Sequence, residues 1–139
     1  MAGRRLVVEA DGGSRGNPGK AGYGALVRDP ATGAVLAERA ASVGIASNNV
    51  AEYSGLVAGL KAVLEIDPAA EVEVRMDSKL VVEQMSGRWK IKHPDMQKLA
   101  QRAREVLPPS QVSYTWIPRA ENTAADALVN QALDAALYL

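Results

Sequence analysis

Leu6-Val7-Val8-Glu9-Ala10-Asp11-Gly12-Gly13-Ser14-Arg15-Gly16-Asn17-Pro18-Gly19 is the stretch on which the fold turns. Its first half is aliphatic, the composition of a strand, and its second half is crowded with Gly, Asn and Pro, the residues of a turn. We read Leu6–Ala10 as a strand ending in a glycine-rich turn, with Asp11 at the junction. Val72, Val74 and Met76 alternate as a second such strand, and it too ends in an aspartate, Asp77.

Outward from these two segments the pattern continues. Gly22–Arg28 and Ala34–Ser42 form a hairpin around the turn residues Asp29-Pro30-Ala31-Thr32-Gly33. Leu56, Leu60, Val63 and Leu64 recur at helical spacing within Asn49–Glu65, and Pro68 closes that segment. Ser78 is placed to cap a short helix through Met85, and Pro94, with Asp95 beside it, opens a helix to about Val106. Pro108-Pro109 stops it, Val112–Ile117 is the last strand, and Asn122–Leu137 is a closing helix with Val129 and Leu133 on its apolar face. The order is three strands, helix, strand, two helices, strand, helix. Hairpin connections give antiparallel neighbours and helical crossovers give parallel ones, so an α/β fold with a mixed sheet is expected. Ligands in such sheets bind beyond the carboxyl ends of the parallel strands, where Asp11 and Asp77 stand.

Composition narrows the function classes. With 139 residues and no internal repeat or linker, the chain reads as one domain able to bury its own core. The absence of cysteine excludes a disulfide framework, a thiolate nucleophile and zinc held by Cys. Met1-Ala2-Gly3-Arg4-Arg5 leads into a strand rather than a signal core, and no apolar run approaches a membrane span, so a cytoplasmic domain with no membrane partner is expected. Sixteen Lys and Arg balance sixteen Asp and Glu. Locally, Arg88, Lys90, Lys92, Lys98, Arg102 and Arg104 face only Asp95 within their run, with Trp89 among them. A solvated helix face explains such a run as readily as nucleic acid does. Trp89 and Trp116 would suit base stacking, although core or rim packing is the commoner use of tryptophan.

Four carboxylates carry the chemical signal: Asp11, Glu52, Asp77 and Asp126. Each has an ordinary explanation. Asn49-Val50-Ala51-Glu52 has capping-box spacing, and taken alone the cap is the favoured reading of Glu52. Asp126 would complement a helix dipole, and Asp11 and Asp77 would serve as turn and cap residues. Together, these readings require four unrelated local roles to have placed carboxylates on elements that one mixed sheet brings to one edge. Clustered ionised carboxylates cost several kcal/mol each in a partly dry site unless a cation joins them. An all-oxygen set selects Mg²⁺ or Mn²⁺ over zinc and suits phosphoryl chemistry with two ions. The glycine-rich segment is no P-loop, since Ser14 stands where the first glycine belongs and Ala21 follows Lys20. Asp11-Gly12-Gly13 lacks the second aspartate of an aspartyl-phosphate phosphatase, and Ser14 has no nearby histidine to activate it. His93, the sole histidine, sits in the basic loop and reads as a surface or helix-start residue.

These motifs have a family resemblance. Asp11–Gly19, Ser47-Asn48-Asn49-Val50-Ala51-Glu52, Asp77-Ser78 and Asn122-Thr123-Ala124-Ala125-Asp126-Ala127-Leu128, in this order and spacing, resemble ribonuclease H type 1 along essentially the whole chain. The resemblance implies a five-stranded mixed sheet of order 3-2-1-4-5, strand 2 antiparallel, flanked by helices. It implies endonucleolytic hydrolysis of the RNA strand of an RNA/DNA hybrid by a monomer, leaving 5′-phosphate and 3′-hydroxyl ends. Two Mg²⁺ or Mn²⁺ ions, roughly 3.5–4 Å apart, would be bridged by Asp11, with Glu52 and Asp77 on one side and Asp126 on the other. Ser14, Asn17, Asn48 and Asn49 would meet minor-groove edges and RNA 2′-hydroxyls, and Lys79 with the segment from Trp89 to Lys98 would hold phosphates.

Two departures from the family pattern stand out. Many members carry a histidine between the last strand and last helix, whereas Pro118-Arg119-Ala120-Glu121 has none. Arg119 is the nearest substitute; a guanidinium cannot shuttle a proton, so its role would be to orient phosphate or assist product departure. The Met85–Pro94 connection is shorter than the basic handle of longer bacterial enzymes, which matches compact archaeal and actinobacterial members, some of which also cut double-stranded RNA. In actinobacterial relatives a phosphatase-like domain often follows, so residues 1–139 are either a single-domain protein or an excised piece ending at Tyr138-Leu139. Two rival readings stay open: a catalytically decayed hybrid-binding module on the same fold, and a resolvase- or integrase-like nuclease acting on DNA.

Overall fold

The computed structural model describes residues 3–137. Met1-Ala2, part of the N-terminal run, and Tyr138-Leu139, where the chain stops, lie outside the described residues. The elements are β1 (Arg5–Gly16), β2 (Gly19–Arg28), β3 (Val35–Ala46), α1 (Asn48–Ile66), β4 (Glu71–Met76), α2 (Lys79–Met85), α3 (Pro94–Val106), β5 (Val112–Trp116) and α4 (Thr123–Ala136), with 3-10 turns at Pro109–Gln111 and Arg119–Glu121. They build one five-stranded sheet of order β3-β2-β1-β4-β5. β2 runs antiparallel to both neighbours, while β1, β4 and β5 pair in parallel.

Glycine sets the layer spacing. Successive strand residues point to opposite faces, and a Cβ on Gly12 would strike the α1 backbone at Ala51, whereas one on Gly13 would approach Val129 of α4. Helices α1 and α4 therefore cover opposite faces, and side chains on β1 alternate between them. Leu6, Val8 and Ala10 join Leu56, Leu60 and Val63 of α1 in the main core. The three α1 side chains are fully buried, each contributing about 1.5–3 kcal/mol of burial. On the other face Leu128, Val129, Ala132 and Leu133 of α4 pack down on the strands. Among the described residues no helix is long and apolar enough to cross a membrane.

The glycine-rich segment is strand, not loop. β1 runs on through Asp11 to Gly16, paired residue for residue with β2 from Asp11↔Gly24 to Gly16↔Gly19, and only Asn17-Pro18 makes the turn. Pairing with β4 nevertheless stops at Glu9↔Arg75, so Asp11 stands just past the carboxyl end of the parallel section. The capping-box reading of Glu52 also fails: Ser47 is the α1 N-cap, its hydroxyl accepting from Val50 N at 3.2 Å, which leaves Asn49 inside the helix and Glu52 free of any cap duty. Leu64, placed on the α1 stripe by spacing, is exposed, and Trp89 and Trp116 are both about half exposed instead of packed in the core. Arg88 is drawn out of the basic run by an ion pair with Glu83 from the preceding helix.

Candidate active site

Four elements deliver one carboxylate each to a single cleft of about 380 Å³, lined by Asp11, Glu52, Asp77 and Asp126 together with Ser14, Asn48 and Arg119. Asp11 arrives on β1 and is 6 % exposed, its Oδ1 accepting the Gly12 amide at 2.9 Å. Asp77 follows directly on β4, held by Asn122, whose Nδ2 donates to its Oδ1 at 2.8 Å. Glu52 comes from the second turn of α1, and Asp126 from the first turn of α4. Two close helix–sheet contacts bring these helical carboxylates near Asp11. Gly12 lets the backbone at Ala51-Glu52 touch β1, and Gly24 lets α4 at Ala125, Leu128 and Val129 touch β2; a Cβ on Gly24 would lie 2.5 Å from Ala125 O and from Leu128 Cβ.

The electrostatics follow from this crowding. Burial, then the Asp77 charge, pushes the Asp11 carboxyl up to about 7, with Asp126 adding to the effect and the Gly12 amide opposing it. Burial, then Asp11 and Asp77, raises Glu52 well above the ordinary range, with Arg119 acting against them. Glu52 Oε2 is buried with no hydrogen-bond partner. Among the described residues no group of three or more acidic or histidine side chains makes a ready ion cage. The carboxylates instead line an open cleft, the arrangement suited to Mg²⁺, which retains several waters and takes only one or two protein carboxylates. An all-oxygen donor set, an orphaned buried carboxylate oxygen and a neighbour driven toward protonation fit a hard divalent cation.

The remaining candidates divide. Asn48 Oδ1 accepts from the Ser14 amide at 2.8 Å and from its hydroxyl at 3.0 Å, and Asn17 Oδ1 accepts from the Asn48 amide at 3.2 Å. Ser14 and Asn48 thus line the cleft beside the carboxylates, and Asn17, outside its lining, is hydrogen-bonded to Asn48. Asn49 and Lys79 are exposed and line no part of the cleft. Arg119 is 82 % exposed at the start of its 3-10 turn, with Nη2 3.9 Å from Asp126 Oδ1. His93 is the N-cap of α3, its Nδ1 accepting the Asp95 amide at 3.2 Å, and it is not among the cleft residues.

Two asparagines escaped the reading of the sequence. Asn130, one turn beyond Asp126, lines the cleft, with its Nδ2 3.2 Å from Asp126 O. Asn122 is fully buried. Its signal was present: positions 122, 126, 129 and 133 form one helical stripe, and a polar residue heads an otherwise acidic and apolar face.

A five-stranded sheet of this order, with its acidic cleft at the β1/β4 seam, is the ribonuclease H-like architecture. A family model described as reverse transcriptase-like matches residues 9–132. The bifunctional protein Rv2228c of Mycobacterium tuberculosis is 56 % identical over 133 residues, 95 % of this chain and 36 % of that protein. The solved N-terminal RNase H domain of Rv2228c, a maltose-binding-protein fusion, superposes with a TM-score of 0.91 at 55 % identity, covering 98 % of each chain. A ribonuclease H of Hydrogenovibrio crunogenus is 34 % identical over 94 % of this chain and 97 % of its own length. LC11-RNase H1, solved in complex with an RNA/DNA hybrid, has a TM-score of 0.86 at 41 % identity, covering 96 % of this chain and 99 % of that one. The chain belongs to the ribonuclease H type 1 family. It spans just over a third of the length of its mycobacterial relatives.

Proposed function

We propose that this domain is a divalent-cation-dependent endonuclease that hydrolyses the RNA strand of RNA/DNA hybrids, leaving 5′-phosphate and 3′-hydroxyl ends, and that it works as a monomer, with double-stranded RNA as the second substrate to test. The observation that carries the reading is the convergence of Asp11, Glu52, Asp77 and Asp126 from four separate elements on one open cleft, with a Glu52 oxygen left buried and unpartnered. The hybrid bound to LC11-RNase H1 supports the substrate class.

The four carboxylates would hold two Mg²⁺ or Mn²⁺ ions, which when bound supply an activated water and charge stabilisation at the leaving oxygen. The protein's own residues position the strand. Ser14, Asn17 and Asn48 are pre-ordered by their mutual hydrogen bonds, so they present donors and acceptors to 2′-hydroxyls at little entropic cost, and these groups distinguish RNA from DNA. Asn49 and Lys79, exposed on the neighbouring helix starts, extend that surface to the next phosphates. Arg119 stands exposed beside Asp126, and its planar guanidinium is suited to orienting a non-bridging phosphate oxygen or drawing product away.

A decayed binding module on the same fold is the second reading, favoured by the absent histidine. A pure binder, however, gains nothing from four mutually repelling carboxylates at a phosphate site. Cleavage of a labelled hybrid, beside single-stranded RNA, double-stranded RNA and duplex DNA, with Mg²⁺, Mn²⁺ or EDTA, decides between them. Cation-dependent cutting of the RNA strand establishes the enzyme, and binding without cutting in either cation establishes the module.

Arg119→Ala should lower kcat on the hybrid by roughly 10- to 100-fold, about 1.4–2.8 kcal/mol of barrier, with KM within about threefold. Unchanged turnover in steady-state assays would remove Arg119 from the mechanism. His93→Ala should cost only a helix cap, about 0.5–1 kcal/mol, seen as a few degrees in Tm with cleavage within a few fold. A large loss of rate would place His93 in the chemistry.

A further inference from the structure

Asn122 occupies the N-cap position of α4 yet makes no side-chain cap. An asparagine there ordinarily turns its oxygen onto the helix amides, which stabilises the helix start. Here Oδ1 is buried without a partner, and the amide instead donates both ways, to Ala10 O at 3.0 Å and to Asp77 Oδ1 at 2.8 Å. The opposite amide orientation would set Oδ1 against that carbonyl and that carboxylate, two acceptors, so the assignment is fixed by its partners. The residue is 0 % exposed, so the uncapped geometry and the orphaned oxygen are kept in a dry site where each is costly.

Three of the four carboxylate-bearing elements meet at this one residue, two through its side chain and the third through its backbone. Ala10 is the residue before Asp11 on β1; Asp77 directly follows β4; and Asn122's own carbonyl accepts the Asp126 amide at 3.1 Å. We infer that Asn122 is a positioning residue that sets the Asp77 carboxylate at a fixed angle to Asp11 and ties the first turn of α4 to the same point. It acts on the reaction only through those carboxylates and touches no substrate. Its kinetic consequence rests on the nuclease reading, while its structural consequence does not.

The test is a double-mutant cycle between Asn122→Ala and Asp77→Ala on the full chain, read by Tm in EDTA, by the Mg²⁺-induced rise in Tm, and by hybrid cleavage. Asn122→Ala should lower Tm by about 5–10 °C, the loss of two buried hydrogen bonds, and this loss should shrink by about half in the Asp77→Ala background. The Mg²⁺ concentration for half-maximal stabilisation should rise several-fold, and kcat should fall at least tenfold, with KM for hybrid within twofold. Asn122→Ser keeps a good N-cap residue but is too short to span to Asp77. It should melt between Asn122→Ala and the wild type, because a restored cap of about 1 kcal/mol offsets part of the lost hydrogen bonding, and still show the weakened Mg²⁺ response and the lower kcat. The inference is overturned if Asn122→Ser leaves the Mg²⁺ response and kcat within twofold, or if the stability loss is the same with and without Asp77. Should the wild-type chain cut no hybrid at all, the nuclease reading fails while the cycle and the Mg²⁺ response still decide the role of Asn122.

Discussion

Asp11→Asn is expected to abolish hybrid cleavage, by on the order of a thousandfold or more, equivalent to about 4 kcal/mol of transition-state stabilisation, while hybrid affinity holds or improves. The side chain keeps its size, and its oxygen still accepts the Gly12 amide that now reaches Asp11 Oδ1, so the fold is undisturbed. What goes is a negative charge shared with Asp77 and Asp126 at the point where a phosphodiester must sit. A charge removed from beside a polyanion favours binding, and a charge removed from a cation site weakens the cation. Filter binding and single-turnover cleavage on the same hybrid separate the two effects. Activity retained in both Mg²⁺ and Mn²⁺ would overturn the assignment of the cleft.

The same substitution has a signature in the cation-free protein. Burial and the neighbouring carboxylates hold Asp11 at about 7 against an ordinary 3.8, and they raise Glu52 in the same direction. Between those values the native state holds protons that the unfolded chain has released. The stability associated with protonated Asp11 is therefore complete below about pH 4 and is lost as pH rises through about 7. In EDTA the wild type should become less stable across that window, and Asp11→Asn, with no charge to develop there, should fall less and melt about 3–8 °C higher at pH 8, a difference of about 1–2 kcal/mol. Saturating Mg²⁺ should reverse the order, since only the wild type gains fully from the cation. Parallel melting curves for the two proteins from pH 4 to 8 would mean the carboxylates do not repel as their placement implies.

The mixed α/β sheet, the helix positions and the four carboxylate candidates are legible from patterning and local chemistry, whereas the order β3-β2-β1-β4-β5 was implied only by the family resemblance, since pairing between strands distant in sequence leaves no local signature. Pro94 opens α3 because a missing amide costs nothing at a first helical position, and Ser78 caps α2 through Val81 N. What patterning lost lay where long-range packing overrides local preference. Gly12, Gly13 and Gly16 read as a turn because glycine is poor in strands, yet register with β2 makes them strand. Asn49 and Glu52 had the spacing of a cap, but Ser47, one residue before α1, took that role. Asn122 looked like an ordinary helix-opening asparagine, and only the burial of its amide between Ala10 and Asp77 sets it apart. Asn17, Asn49 and Lys79 rest on the family resemblance and do not line the cleft itself, whereas Ser14 and Asn48 do.

Gly12→Ala is expected to damage both the fold and the site, and by more than any other single-methyl change near the cleft. An added Cβ would lie 2.2 Å from Ala51 C, 2.4 Å from Ala51 O and 2.4 Å from Glu52 N. All three are backbone atoms of α1, so no rotamer change relieves the clash and the helix itself must move off the sheet. Overpacking of this kind costs about 3 kcal/mol or more, roughly a 10 °C fall in Tm for a domain of this size. Glu52 travels with the displaced turn, and a shift of about 1 Å in a reacting group costs on the order of 10²-fold in rate, so cleavage per folded molecule should drop by about that factor at a temperature where the variant remains native by circular dichroism. Gly33→Ala is the informative comparison. Gly33, unlike Gly12, adopts a conformation that favours glycine, φ +78°, but a Cβ there meets nothing within 4 Å, so its substitution should cost only about 1 kcal/mol of backbone strain and leave cleavage intact. If the two alanine variants melt and cut alike, close approach of α1 to β1 is not what sets Glu52 against Asp11, and the geometry of the cleft must be maintained from the α4 side, through Gly24 and Asn122.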